Sequence, residues 1–399
     1  MKSTVYALVL AFASLSTTFA QCSTTIVRKE IRQITNSERT AFINAVNAIK
    51  KSGRYDELVS IHLNYVPYAH STPAFFPWHR NFIKTFELAL QKVNPKVTLP
   101  YWDWTLDSQA PEKSPIWTWF GGNGRKKDGC LITGPFANWK TSKPDSHCLQ
   151  RVWDSGNKIS AFYSPESINY YVSTSSGFGA LRNNIELGPH ATVHNSIGGD
   201  FQYMTSANDP IFFLHHAYID KIWADWQKSH PQKSNDYSGT NLVGGRKANI
   251  SDIITPFQIP VRQVLNINTL CYSYSNSPSA TIQQNGRKRS MPHNTQVSRI
   301  TKNESLLKKI ASCPRPDYAS LLGLPSSTDR RSQLTKLRPP IGVSPRFSEM
   351  MKYDLHKVRQ LELDNALYIK SLNEKGYVSK VSLKNILSGV ADIDLKITI

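Results

Sequence analysis

The stretch from His190 to Asp220 constrains this chain more than any other. It opens with two histidines four residues apart, His190 and His194. Residues i and i+4 lie on one face of a helix, so both imidazoles can address one point. The stretch closes on Asn208-Asp209-Pro210, an apolar run, then His215-His216 and Asp220. Asp209 suits an N-cap and Pro210 the first helical position, which predicts a helix starting near Pro210 with His216 in its second turn. Asp220 is spaced to orient His216 or another ligand. Neutral imidazole is the commonest metal ligand, and three of them make half of a two-metal site.

A second trio lies upstream. Thr35 or Asn36 caps an amphipathic helix that ends near Lys51, with Glu38 in its first turn. A further helix, Asp56 to Val66, carries His62, and the loop Val66 to Phe75 carries His70. A strong helix is predicted from near Pro77, with Phe82, Ile83, Phe86 and Leu90 at helical spacing and His79 near its start. Two bundled helix pairs would converge the six imidazoles between them. A lone histidine is ordinarily a hydrogen-bonded core residue; two trios are another matter. Neither His-Glu-x-x-His nor Cys-x-x-Cys occurs, and zinc hydrolases usually mix a carboxylate or cysteine into the set. An all-imidazole set argues for a metal that binds dioxygen.

The remaining chain sets bounds. Its 399 residues suffice for one large domain and an appendage. Aromatics at 11% support a substantial packed core, and Pro100-Tyr-Trp-Asp-Trp104 reads as part of it. The formal charge of +19 implies a solvated basic surface. No nucleic-acid module is evident, and no run after the N-terminus reaches membrane-span length. Residues 1–20, with Lys2, an apolar run and Ala20, read as a secretory signal. A secreted chain permits disulfides. Cys130 can pair with Cys148, and Cys22 with Cys271 or Cys313, one of the five cysteines remaining over. Asn249 and Asn303 head glycosylation acceptor triplets.

Ser108 to Ser176 reads as a long irregular connection, and Leu270 to Tyr274 as a short strand. Residues 276–296 form a polar linker holding Arg287-Lys-Arg289, a dibasic site for a processing protease. Residues 297–399 form a C-terminal extension with a helix expected from Pro345 to about Asn373 and a β-like end.

The local sequences sharpen the chemistry. His70-Ser-Thr-Pro-Ala-Phe-Phe-Pro-Trp-His79-Arg80, with Glu87 beyond, resembles the first copper-binding signature of tyrosinases. Asp209-Pro-Ile-Phe-Phe-Leu-His-His216-Ala-Tyr-Ile-Asp220 resembles the second. Arg28, Arg32 and Tyr272-Ser-Tyr274 also fit, so the resemblance spans residues 26–275. Ile83 is a mild departure.

The resemblance implies a mainly α-helical type-3 copper domain at residues 21–275, with a four-helix bundle and long irregular loops. His62, His70 and His79 would hold one copper, and His190, His194 and His216 the other. His215 would be a supporting or packing residue. Dioxygen is the co-substrate, and small phenols the substrates: catechols leave as o-quinones and oxygen ends as water. For monophenol hydroxylation, the family is thought to deprotonate the phenol through a water held by a Glu and an Asn. Glu186 matches the first. The residue after His190 is Ala191, where monophenol-active members often have Asn; Asn195 follows His194 instead. We therefore expect strong diphenolase and weak monophenolase activity.

Tyr68 stands where many members carry a thioether-forming cysteine, and Tyr203 and Met204 are placed to shape the substrate mouth. By analogy with related fungal enzymes, the extension would cover the copper site until proteolysis. The alternatives are a hemocyanin-like oxygen carrier and an o-aminophenol oxidase. Pigment (melanin) formation and phenolic crosslinking are both open as roles.

Overall fold

The computed structural model describes residues 24–278, 312–326 and 336–377, together with Cys22, Ile310 and Ser379. The N-terminal run, the dibasic site, Asn303 and the C-terminal Leu-Lys-Ile-Thr-Ile lie outside the described residues. The fold is mainly α, as expected. No helix among the described residues is long and apolar enough to cross a membrane.

The two ends of the larger domain meet. Ile26–Arg28 pairs in parallel with Tyr272–Tyr274, and a Cys22–Cys271 disulfide closes the same corner. That settles the partner of Cys22 and leaves Cys313 free. Arg28 crosses inward to bind Glu87 through two nitrogens, at 3.2 and 2.8 Å, where both side chains are buried. A buried carboxylate needs such a partner: burial pushes Glu87 up, but Arg28, Lys84 and the N–H of Leu99 together bring it below its ordinary range.

Thr35 caps the Asn36–Lys51 helix in a reciprocal box with Glu38. Arg54–Asn64 follows, and then a single helical turn at Val66–Ala69, where a loop was expected. The next helix, Phe75–Val93, begins two residues earlier than Pro77, because a proline is as well accommodated inside the first turn as at its first position. It packs on Ile211–Ser229, with Phe76 stacked on Trp223 and Phe82 tilted against Phe213. Pro210 caps this last helix, and Asp209 still receives the N–H of Ile211 at 3.1 Å. Asp209 is also held by Arg151 through two bonds, both side chains buried.

The connection from Ser108 to Ser176 is largely irregular but includes helices at Pro115–Phe120 and Pro165–Thr174. The Cys130–Cys148 disulfide ties it. In the extension, the expected single helix is two: Pro345–Met350 and Leu355–Glu374. Lys352 takes a left-handed φ of 55°, and Asp354 caps the second helix, so the chain turns between them.

Candidate metal centre

Each trio is assembled from three separate elements. His62 projects from the last turn of Arg54–Asn64, His70 ends the Val66–Ala69 turn, and His79 sits in the second turn of Phe75–Val93. His190 ends a π turn, Glu186–His190, and His194 lies in the Ala191–Ile197 helix that continues it. The π turn, unforeseen in the sequence, contains Pro189, which has no N–H to give to the ordinary helical ladder. His216 comes from the Ile211–Ser229 helix.

The ligand atoms of His62, His70 and His79 lie within 4.8 Å of one another, as do those of His190, His194, His215 and His216. The two groups abut: the His79 and His216 rings stack with centroids 4.2 Å apart. All seven are buried. Burial pushes His62 down to about 4 and His194 to about 3. It pushes the other five well below the usual histidine range, with the neighbouring imidazoles adding to the effect. At neutral pH these are uncharged rings with lone pairs to offer.

Backbone carbonyls fix four of them. Nδ1 of His62 donates to Met204 (2.9 Å), of His79 to Phe75 (2.8 Å), of His190 to Glu186 (3.2 Å) and of His194 to Phe201 (2.7 Å). A carbonyl only accepts, so the ring proton is on Nδ1 and the lone pair on Nε2. Nε2 of His62, His79 and His190 is buried with no hydrogen-bond partner, as are Nδ1 of His70 and both nitrogens of His216. Unsatisfied buried polar atoms are costly and rare; a metal satisfies a whole group of them at once.

Asp220 does not do what its spacing suggests. Its carboxylate accepts from Arg80 Nε at 2.5 Å and from the hydroxyls of Tyr272 and Tyr274, each at 2.6 Å. Those cationic and phenolic donors outcompete an uncharged imidazole, so Asp220 orients no histidine.

Glu186 is buried behind His190. Its Oε1 accepts from the N–H of Ser71 (2.7 Å) and its Oε2 from Arg182 (2.9 Å). Burial holds the carboxyl above its ordinary range against both. Asn195 is also buried, its amide nitrogen on the carbonyl of Ala191.

The extension lies on this centre. Ser344 donates both its N–H (3.2 Å) and its hydroxyl (3.0 Å) to Oδ1 of Asn195. Phe347 stacks on His194, centroids 6.2 Å apart and planes 28° apart. Val343, Phe347, Met351 and Tyr353 form one apolar cluster with Leu187 and Ala191, and Met204 packs against it. Ser71 donates its hydroxyl to the carbonyl of Met351 at 2.6 Å. Tyr203 is exposed, with Arg346 of the extension over its ring. The sequence carried no sign of these contacts. Tyr68, near the first trio, is exposed.

A buried pair of all-histidine groups, held in a helical core with ring planes in contact, is the arrangement of a protein able to hold two metal ions side by side. The comparisons say which one. A family model described as the common central domain of tyrosinase matches residues 52–229. The chain is 35% identical over 255 residues to a tyrosinase of Streptomyces antibioticus, covering 57% of this chain and 90% of that protein. It is 32% identical over 300 residues to the tyrosinase ustQ of Aspergillus flavus, covering 66% and 84%. Among solved structures it resembles a polyphenol oxidase of Thermothelomyces thermophila, with a TM-score of 0.55 and 24% identity over 63% of this chain and 89% of that one. The chain belongs to the tyrosinase family of type-3 dicopper enzymes. Its residues fit copper: borderline imidazole nitrogens, no carboxylate in either group, and orphaned lone pairs inside both.

Proposed function

We propose that this protein oxidises o-diphenols to o-quinones with dioxygen as co-substrate. The observation that carries the reading is the abutment of the two histidine groups at the His79–His216 stack. His62, His70 and His79 hold one copper, and His190, His194 and His216 the other. When bound, the copper pair supplies dioxygen binding and a two-electron sink. The protein supplies the rest. The rings are neutral, and the four with carbonyl-fixed tautomers present their Nε2 lone pairs without reorganising. Phe75 and Phe212 line the rings and keep the site dry. A flat phenol fits the place on His194 that Phe347 occupies, with Leu187 and Ala191 as apolar walls.

Glu186 is the candidate proton acceptor, through a water, for the phenol hydroxyl. A carboxyl raised by burial takes a proton more readily near neutral pH. Asn195 is the candidate partner for that water once Ser344 has withdrawn. The Ala191 side chain offers no hydrogen bond beside His190, which supports diphenolase over monophenolase activity.

The packed extension supports a latent form released by proteolysis in the linker. Two disulfides and an exposed Asn249 support secretion. The test is oxygen uptake by copper-loaded protein trimmed after Arg289. Uptake with catechol and little with a monophenol is expected. Equal uptake with both would remove the weight placed on Ala191. Reversible oxygen binding with no turnover would make the protein a carrier instead.

A further inference from the structure

Two of the carbonyls that orient the histidines come from one short turn. Phe201 takes the Nδ1 proton of His194, and Met204 that of His62. One ligand from each half of the centre is therefore aimed by residues 201–204. The residues just ahead of that turn are bonded to a strap, the segment Gln150–Asp154, and the N–H of Tyr203 returns to the carbonyl of Asp200 at 3.1 Å. Val152 N–H bonds the carbonyl of Ile197 (3.1 Å), Asp154 N–H that of Ser196 (3.0 Å), and Asp200 N–H that of Gln150 (3.0 Å). Gly198 and Gly199 have left-handed φ of 63° and 60°, and a Cβ on either would collide with the carbonyl of Val152 or Gln150 at 2.1 or 2.4 Å. The approach of strap and turn needs both glycines.

Asp200 closes the contact. It is buried, and its Oδ2 accepts the N–H of Gln150 at 2.8 Å. Its Oδ1 accepts from Nε2 of His147 (2.9 Å) and from the amide of Asn208 (3.1 Å), just ahead of the helix that bears His216. Next to His147, Cys148 is tied to Cys130.

We propose that Asp200 is a positioning residue for both halves of the centre: its clasp on the strap holds the turn whose carbonyls aim His62 and His194. This rests on the dicopper reading for its consequence, but not for its first readout. The rings are aimed before any metal arrives.

The test compares wild type with Asp200→Asn, which keeps the shape and one acceptor but turns an amide toward donors, and with Asp200→Ala. In metal-free protein carrying 15N-histidine, long-range proton–nitrogen spectra report each tautomer. Wild type should show His62 and His194 as Nδ1–H. Both variants should shift these two rings together toward a mixture, with His79 and His190 unchanged. Copper titration should then show both half-sites weakened in parallel, by about 10–100-fold. A merely structural role would lower the melting temperature and leave the tautomers and both affinities in place. That result, or loss at one half alone, overturns the proposal. If Asp200→Ala does not fold, Asp200→Asn and Gly199→Ala carry the same test from the two sides of the clasp. A wild type with both tautomers as stated but no copper uptake would sink the dicopper reading and not this one.

Discussion

Trp104 donates its indole N–H to Nδ1 of His215 at 3.1 Å. An indole only donates, so Nδ1 keeps its lone pair there and the single proton of the neutral ring sits on Nε2. That nitrogen has no lone pair for a metal. His215 is thus removed from the four-histidine group, although its ring stacks on His190 at 5.4 Å.

The expected consequence is specific. His215→Asn, whose amide oxygen can still receive the indole, keeps both coppers. His216→Asn loses the second copper and keeps the first. Metal content per chain after dialysis decides it, and a copper lost from His215→Asn would make that residue a ligand.

Phe347 anchors the extension on His194. Truncating a buried phenylalanine costs roughly 3 kcal/mol, which corresponds to an undocked fraction higher by on the order of 100-fold. Phe347→Ala should therefore raise the catechol turnover of the full-length protein toward that of protein lacking residues 290–399. Oxygen uptake before and after trimming measures both. Full-length turnover equal to trimmed turnover in the wild type would mean that the extension is no lid.

The histidines were legible because ligand identity is written in side chains and their spacing. Four of the six are aimed by backbone carbonyls, and those were not legible, since every residue carries one. Asp220 misled for a related reason. Its helical spacing from His216 was real, but Arg80, Tyr272 and Tyr274 come from distant parts of the chain. Likewise Pro345 and the apolar pattern after it announced helix in the extension. They could not say that part of its buried face meets Leu187 and Ala191 while the rest packs into clusters of the extension's own residues. The turn at Lys352 depends on that packing too, with the Tyr353 N–H bonded back to Ser348 at 2.7 Å.

Acid should loosen the metal-free protein. An unfolded histidine titrates near 6.5, whereas His62 is pushed down to about 4 and His194 to about 3. Between those values and about 6.5 the unfolded chain binds protons that the folded chain refuses, so stability falls as pH falls through that window. The raised carboxyls of Glu30, pushed up to about 7, and of Asp107, Glu186, Asp200, Glu362 and Asp364 act in the opposite sense. Each counts only as far as its folded value reaches above pH 5, whereas all seven pushed-down imidazoles take up a proton inside the window once unfolded. The melting temperature of metal-free protein should be lower at pH 5 than at pH 7.5. The copper-loaded protein should release metal over the same range, because protons compete for its ligands. A melting temperature that is flat or rises toward pH 5 would mean that these rings are already charged or exposed.

Ala191 sets the last expectation. It is fully buried, and the groups clustered with it are Leu187 of the preceding π turn and Val343, Phe347 and Met351 of the extension. An asparagine there would place an amide beside His190, on the side of Glu186, where a water can be shared between carboxylate and amide. In full-length protein the larger side chain must enter a filled apolar cluster, and overpacking costs about 1–3 kcal/mol. The gain should therefore appear in trimmed protein, where the extension no longer fills the space. Ala191→Asn should raise monophenol hydroxylation there while catechol oxidation changes little, since a diphenol needs no hydroxylation step. In the full-length form the same change should also weaken the extension's grip and raise catechol turnover. A trimmed variant with no rise in monophenol turnover would mean that the missing amide is not what limits hydroxylation. Attention would then move to Asn195, whose Oδ1 accepts from Ser344 in the docked form and keeps only the longer 3.4 Å bond from Gln202 after release.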